Sequence, residues 1–93
     1  MDLQLKNKTV FVSGSTAGIG FAIAKRFLME GASVVINGRT QKSIDQAVAE
    51  LKAAVANAGV SGIAADFSKA DEVNHLLQQL PEVDILINNA GIF

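Results

Sequence analysis

The stretch Ser13-Gly14-Ser15-Thr16-Ala17-Gly18-Ile19-Gly20 follows the apolar run Thr9-Val10-Phe11-Val12 and opens a segment, Ile19 to Glu30, whose apolar residues recur at helical spacing. A strand runs into a glycine-rich turn, and the turn runs into a helix. Such a turn exposes backbone N–H groups at a helix start, where the macrodipole also favours negative charge, so phosphate is the expected guest. Each glycine has a job: Gly14 turns the chain off the strand, Gly18 lets the backbone approach a pyrophosphate, and Gly20 lets the helix lie close to the sheet. Ser15 and Thr16 add hydroxyl donors along the loop. The spacing is G-x-x-x-G-x-G, not the G-x-G-x-x-G of the general dinucleotide fingerprint. Nor is it a P-loop, which ends in Gly-Lys-Ser/Thr where this chain has Gly20-Phe21. Alone, the pattern also fits a strand-to-helix turn that holds no ligand, so the rest of the chain has to decide.

Composition narrows the field. The chain has 93 residues, 49% of them hydrophobic, which is ample for the core of one small domain. Few aromatics beside many Val, Ile, Leu and Ala fit buried parallel strands better than a sandwich. A net charge of −1 points to neither nucleic acid nor an anionic membrane. The absence of cysteine excludes a disulfide framework and thiolate metal sites, and no metal site is expected. Met1-Asp2-Leu3-Gln4-Leu5-Lys6 has an early acid and no apolar core, unlike a signal peptide. No run approaches the roughly 20 apolar residues of a membrane span. A cytoplasmic protein is the expectation.

In chain order, Lys8 to Ser13 reads as the first strand. The helix after it places Ile19, Ile23 and Phe27 on one stripe, with Lys25, Arg26 and Glu30 toward solvent and Gly31 as its stop. Ser33 to Asn37 is a second strand whose Val34-Val35-Ile36 core does not alternate, so both its faces should be covered. Gly38-Arg39-Thr40 follows, with Thr40 as N-cap of a helix over 42–57 that packs Ile44, Val48, Leu51 and Val55 and ends at Gly59. Val60 to Ala65 is a third strand, interrupted by Gly62. Ser68-Lys69-Ala70-Asp71 resembles a capping box opening a third helix with Val73, Leu76, Leu77 and Leu80 on one face and Pro81 as its stop. A fourth strand lies within 83–88, before Asn89-Ala90-Gly91-Ile92-Phe93. The order β-α-β-α-β-α-β implies a parallel sheet with right-handed crossovers in one domain.

In such a sheet, ligands bind beyond the carboxyl ends of the strands. Four features lie there: the glycine turn, Gly38-Arg39, Asp66-Phe67 and Asn88-Asn89-Ala90-Gly91. An NAD site usually has an acid after its second strand, to accept hydrogen bonds from the ribose 2′-OH. Here no acid occurs between Ile36 and Asp45. Arg39 offers a positive fork for a 2′-phosphate instead, with Gly38 leaving room for it, which favours NADP over NAD. The other reading of Arg39 is a solvated loop charge. Asp66 suits an adenine amino group, with Phe67 beside the ring, or is a solvated acid near a helix start. Asn88 either ties the fourth strand to the glycine turn or is a turn residue. His75 reads as exposed, and Met29 as packing.

Together these features resemble the short-chain dehydrogenase/reductase family. Its Thr-Gly-x-x-x-Gly-x-Gly motif matches residues 13–20 with Ser for Thr, its Asn-Asn-Ala-Gly motif is complete at residues 88–91, and an aspartate after the third strand, as at Asp66, is typical. The resemblance covers essentially the whole chain. It implies an α/β fold: a Rossmann-type doubly wound parallel sheet of strand order 3-2-1-4, truncated, with residues 1–93 a single, incomplete NAD(P)-binding domain. It implies that Gly14, Ser15, Thr16, Gly18, Ile19 and Gly20 line a pyrophosphate and that Arg39, beside Gly38, holds the 2′-phosphate. Asp66 and Phe67 would border the adenine, and Asn88, Ala90 and Gly91 the ribose and nicotinamide. Many NADP-preferring members carry a basic residue just before the middle glycine, where this chain has Ala17.

The family's chemistry needs a Ser, a Tyr-x-x-x-Lys pair and an Asn on a later helix, the tyrosine acting as general acid/base. This chain has no tyrosine. No catalytic residue is therefore assigned, and the chain alone is expected to be inactive. The third helix would stand alone on its face of the sheet and the fourth strand would be an unpaired edge, leaving apolar surface in water. That implies a missing C-terminal half or self-association. Two functions compete: the NADP(H)-binding part of an oxidoreductase that moves a hydride between nicotinamide and a carbonyl or alcohol, and a non-catalytic nucleotide-binding or interaction module.

Overall fold

Two apolar faces per strand and helices between strands make a layered sheet, and the computed structural model, which describes residues 6–66, 68–80 and 82–89, has that form. The elements are β1 (Thr9–Val12), α1 (Gly18–Met29), β2 (Ser33–Gly38), α2 (Gln41–Ala54), β3 (Val60–Ala64), α3 (Ala70–Gln79) and β4 (Ile85–Ile87). The strands form one sheet in the order β3-β2-β1-β4, with every pairing parallel. This is the expected doubly wound, Rossmann-type order.

Register explains why the strand sequences do not alternate between apolar and polar. Val10 and Val12 of β1 pair with Val34 and Ile36 of β2 and with Ile85 and Ile87 of β4. These side chains share one face, where they pack with Ala24 and Leu28 of α1 and with Ile44, Ala47 and Leu51 of α2. Phe11 and Val35 point to the other face and pack with Ala65 and Leu76. Both stay buried, more completely than expected, under Leu76 of α3 with Ala65, Leu80 and Val83 beside it, although Leu77 and Leu86 are 55% and 50% exposed. At the opposite end of the sheet, Asp84 takes the Thr9 N–H on its side chain at 2.8 Å and returns its own N–H to the Thr9 carbonyl at 2.8 Å. That exchange fixes where β4 starts.

Several local expectations shift. The inward face of α1 is Gly20, Ala24 and Leu28, not the Ile19–Ile23–Phe27 stripe; Ile23 and Phe27 are half-buried and Ile19 is 75% exposed. The first turn of α1 lies against the glycine loop rather than the sheet, and only a residue without a side chain fits there. An added Cβ at Gly20 would strike the Gly14 carbonyl oxygen, Asn89 Nδ2 and Ser15 Cα. Met29, read as packing, is 58% exposed. Gly31 does stop α1: at φ 94° its N–H reaches the Leu28 carbonyl and the Ala32 N–H the Phe27 carbonyl, a Schellman pair. In α2, Thr40 caps as expected, accepting the Ser43 N–H at 3.1 Å. The helix closes at Ala54, however, and the left-handed residue beyond it is Asn57, at φ 59°, rather than Gly59. Gly62 does not break β3; it makes room for Ile44, whose Cγ2 occupies the place of a Cβ. Lys69, not Ser68, is the N-cap of α3 and makes no side-chain cap bond. Pro81, read as the stop of α3, lies outside the described residues.

Candidate functional site

A parallel sheet whose strands all end at one edge brings the loops after β1, β2 and β3 together. Between them is a cleft of about 690 Å³ lined by Gly14, Thr16, Ala17, Asn37, Gly38, Arg39, Ser43, Ala65, Asp66 and Ser68. Five sequence-derived candidates, Gly14, Thr16, Gly38, Arg39 and Asp66, therefore share one cavity. Gly18 and Ile19 are exposed at the start of α1, and Asn88 is exposed after β4. Phe67, Ala90 and Gly91, expected along the same rim, lie outside the described residues.

The glycine loop is built to hold an unusual backbone. Gly14 and Gly18 both have positive φ, 59° and 64°, where a side chain is strained. Among the described residues, no atom outside its own chain neighbours and helix backbone lies within 4 Å of a Cβ placed at Gly18. The N-cap of α1, Ala17, has no side-chain cap and its first turn has no acid, whereas α2 is capped by Thr40. An uncapped helix start beside an open glycine suits an anion's oxygens. Asn89 Nδ2 donates to the Gly14 carbonyl at 2.9 Å. Asn89, next to Asn88, thus ties the loop to the end of β4.

Ser15 acts differently from expectation, and Gly38 has a packing role besides lining the cleft. The Ser15 hydroxyl is fully buried, donating to the Val12 carbonyl at 2.7 Å and accepting the Asn37 N–H at 2.8 Å. Because β1 ends at Val12, this hydroxyl takes over the ladder, and it is turned away from the cleft. Gly38 lines the cleft, and its missing side chain has a second use: an added Cβ would sit 2.5 Å from Thr16 Cγ2 and 3.0 Å from Ser43 Oγ. The missing side chain lets Thr16 and the start of α2 close together.

Asn37 was overlooked. It continues an apolar strand as a lone polar residue, and its buried side chain is bonded at both ends. Ser43 and Ser68 were not singled out as cleft residues either.

Charge in the cleft is asymmetric. Arg39 is exposed, and it belongs to neither ion pair seen among the described residues, Arg26–Glu30 and Lys69–Glu72. Across from it, Asp66 Oδ1 accepts the Ser68 hydroxyl at 2.7 Å and the Ser68 N–H at 2.9 Å, while Glu72 Oε1 takes the Asp66 N–H at 3.0 Å. The Ser68 hydroxyl, then its N–H, with the Arg39 and Lys69 charges adding, hold the Asp66 carboxyl below its ordinary value. A lowered folded-state value means that the turn's contribution is present above the unfolded value and lost as pH falls through the folded one. The turn should therefore persist at about pH 4 and open only in stronger acid. Ser68→Ala should move the Asp66 midpoint upward in a carbon-13 carboxyl titration; an unmoved midpoint would remove Ser68 as the cause.

Parallel strands in the order 3-2-1-4, with a glycine loop, an uncapped helix start and a cleft at their carboxyl edge, define a Rossmann-type nucleotide-binding fold. The sequence profile of the family described as short chain dehydrogenase matches residues 8–93, and the chain belongs to the short-chain dehydrogenase/reductase family. It is 49% identical to the uncharacterized oxidoreductase YvrD of Bacillus subtilis (strain 168), covering all of this chain and 35% of that protein. It is 42% identical to a 3alpha-hydroxysteroid dehydrogenase of Mediterraneibacter gnavus, covering 99% of this chain and 38% of that one. Among solved structures, the L-sorbose reductase of Gluconobacter frateurii complexed with NADPH and L-sorbose superposes with a TM-score of 0.84 at 33% identity, covering 98% of this chain and 36% of that chain. The chain thus spans about a third of the length of the relatives it matches.

Proposed function

We propose that this chain is the NADP(H)-binding portion of a short-chain dehydrogenase/reductase. The observation that carries this reading is the cleft shared by Gly14, Thr16, Arg39 and Asp66, loops from three strand ends meeting at one cavity. When bound, the nicotinamide would donate a hydride to a carbonyl carbon in its reduced form or accept one from an alcohol carbon in its oxidised form. The residues of this chain bind and orient. The amides at the start of α1, beside Gly18, would receive the pyrophosphate. Arg39 would take the 2′-phosphate on its guanidinium, and Asp66, with Oδ1 already engaged by Ser68, would offer its other oxygen to the adenine amino group. A solved relative complexed with NADPH supports the choice of cofactor. The chain contains no tyrosine, so the acid/base step falls to no residue here.

Arg39→Ala tests the reading. A charge-assisted contact contributes about 1.5–3 kcal/mol, so NADPH affinity should fall about ten- to a hundredfold. NADH, which lacks the 2′-phosphate, should lose about twofold or less by the same estimate. Calorimetry on both dinucleotides decides: equal losses, or a parent chain that prefers NADH, would defeat the assignment.

A further inference from the structure

We infer that the Asn37 side chain is a positioning residue that sets the spacing between the two walls of the cleft, and with it the affinity for the dinucleotide. The inference rests on the reading that the cleft holds a dinucleotide. Asn37 lies near the carboxyl end of β2, between β1 and β3, and is 1% exposed. Its Oδ1 accepts the Gly14 N–H at 3.0 Å and its Nδ2 donates to the Ile63 carbonyl at 3.1 Å. Only this orientation of the amide satisfies a donor on one side and an acceptor on the other. Gly14 belongs to one wall of the cleft, and Ala65 and Asp66, just beyond Ile63, form the other. One buried amide therefore joins the Gly14 wall to β3, the strand that leads into the other wall.

The span is separate from the pairing of β2 with the loop. That pairing is made by the Asn37 backbone, whose N–H goes to Ser15 Oγ at 2.8 Å and whose carbonyl accepts the Ser15 N–H at 2.8 Å. An apolar residue at position 37 would keep those bonds and continue the Val34-Val35-Ile36 pattern, but would leave the Gly14 N–H and Ile63 carbonyl without this partner. Gly14 is also held at its carbonyl by Asn89. The residue with no side chain, in its left-handed conformation, is thus gripped through its backbone from two strand ends. Releasing one grip frees the Gly14 peptide to rotate while the sheet stays paired.

Asn37→Ser is the principal test, because serine is too short to reach both groups yet polar enough to admit water to them. Asn37→Asp is the second: it keeps an acceptor toward Gly14 and loses the donor to Ile63. Hydrogen exchange compares the Gly14 amide with that of Gly31, which donates to Leu28 at the far end of α1. Calorimetry measures NADPH and NADH. In Asn37→Ser, Gly14 exchange should rise about tenfold with Gly31 unchanged, and both dinucleotides should weaken about tenfold. The NADPH-to-NADH ratio should hold, because Arg39 is untouched; this separates the effect from that of Arg39→Ala. In Asn37→Asp, Gly14 should stay protected while affinity still falls. In Asn37→Ser, Gly14 exchange within about twofold of the parent, or unchanged affinity for both dinucleotides, overturns the inference. If Asn37→Ser does not fold, Asn37→Asp decides: both dinucleotides weakened with Gly14 still protected supports the inference, and unchanged affinity for both overturns it. A parent chain that binds neither dinucleotide sinks the functional reading and the affinity claim together, while Gly14 exchange still decides whether Asn37 holds the wall.

Discussion

Alanine at Gly18 should leave the chain folded but weaken its binding of a dinucleotide, whereas alanine at Gly20, two residues along, should destabilise the fold. The two glycines share a motif and differ in what surrounds them. At Gly18 a Cβ meets nothing within 4 Å among the described residues, so the structural cost is the left-handed φ of 64°, about 1–2 kcal/mol. That methyl group projects into the open space where a pyrophosphate would approach the backbone, and a close approach lost there should reduce binding about a hundredfold, the scale of losing two charge-assisted hydrogen bonds. At Gly20 the Cβ runs into backbone: the Gly14 carbonyl oxygen and Ser15 Cα, with Asn89 Nδ2 beside them. Backbone atoms of a buried turn cannot rotate away as a side-chain end can. Overpacking of this kind costs about 3 kcal/mol or more, and alanine's better helix propensity returns only about 1. A net loss of about 2 kcal/mol lowers the melting midpoint by roughly 8–16 °C in a chain of this size. Thermal melts and calorimetry on both variants separate the roles. A Gly20→Ala midpoint within a few degrees of the parent would mean that α1 does not press on the loop. Undiminished NADPH affinity in Gly18→Ala would mean that the pyrophosphate does not pass there.

The same contrast shows what the sequence made legible. Strand order, the parallel sheet and the convergence of Gly14, Arg39 and Asp66 follow from features with long-range consequences: β-α alternation, and turn chemistry at strand ends. What was missed depends on a neighbour from elsewhere in the chain. The inward face of α1 was read from its large apolar residues, but close approach to a loop selects the small ones, and Gly20 and Ala24 at i and i+4 were the available signal. Ser15 was read as a loop hydroxyl because nothing in residues 13–20 says that β1 would stop at Val12 and need a partner for the Asn37 N–H. Asn37 looked like the tail of a valine-rich strand; a polar residue where a fully buried strand continues was the sign that it has partners on both sides. The helix-start signal at 68–71 was real but misassigned. Ser68 serves Asp66, and the carboxylate that reaches back toward that turn is Glu72 rather than Asp71.

Leu76→Ala should detach α3 and open the Asp66 wall of the cleft while leaving the other core intact. Leu76 is the one buried residue of α3, and its partners are Phe11, Val35 and Ala65. Truncating a fully buried leucine costs about 2–5 kcal/mol, from lost transfer energy and the cavity left behind. The cost should fall locally, because α1 and α2 pack on the opposite face against Val10, Val12, Val34 and Ile36 and do not depend on α3. Amides in the last turns of α3 should then lose protection about thirtyfold or more, the equivalent of 2 kcal/mol, while those of Val12, Val34 and Ile36 keep theirs. Glu72 leaves with the helix, taking its bond to the Asp66 N–H, so NADPH should weaken even though Leu76 lies outside the cleft. Leu77→Ala is the control: that side chain is 55% exposed, and its loss should change stability by about 0.5 kcal/mol or less. Equal damage from the two substitutions would show that α3 docks by a different face. Uniform loss of protection through β1 and β2 would show that the two cores unfold as one, because a side chain that anchors only its own helix cannot lower the protection of strands held from the other side.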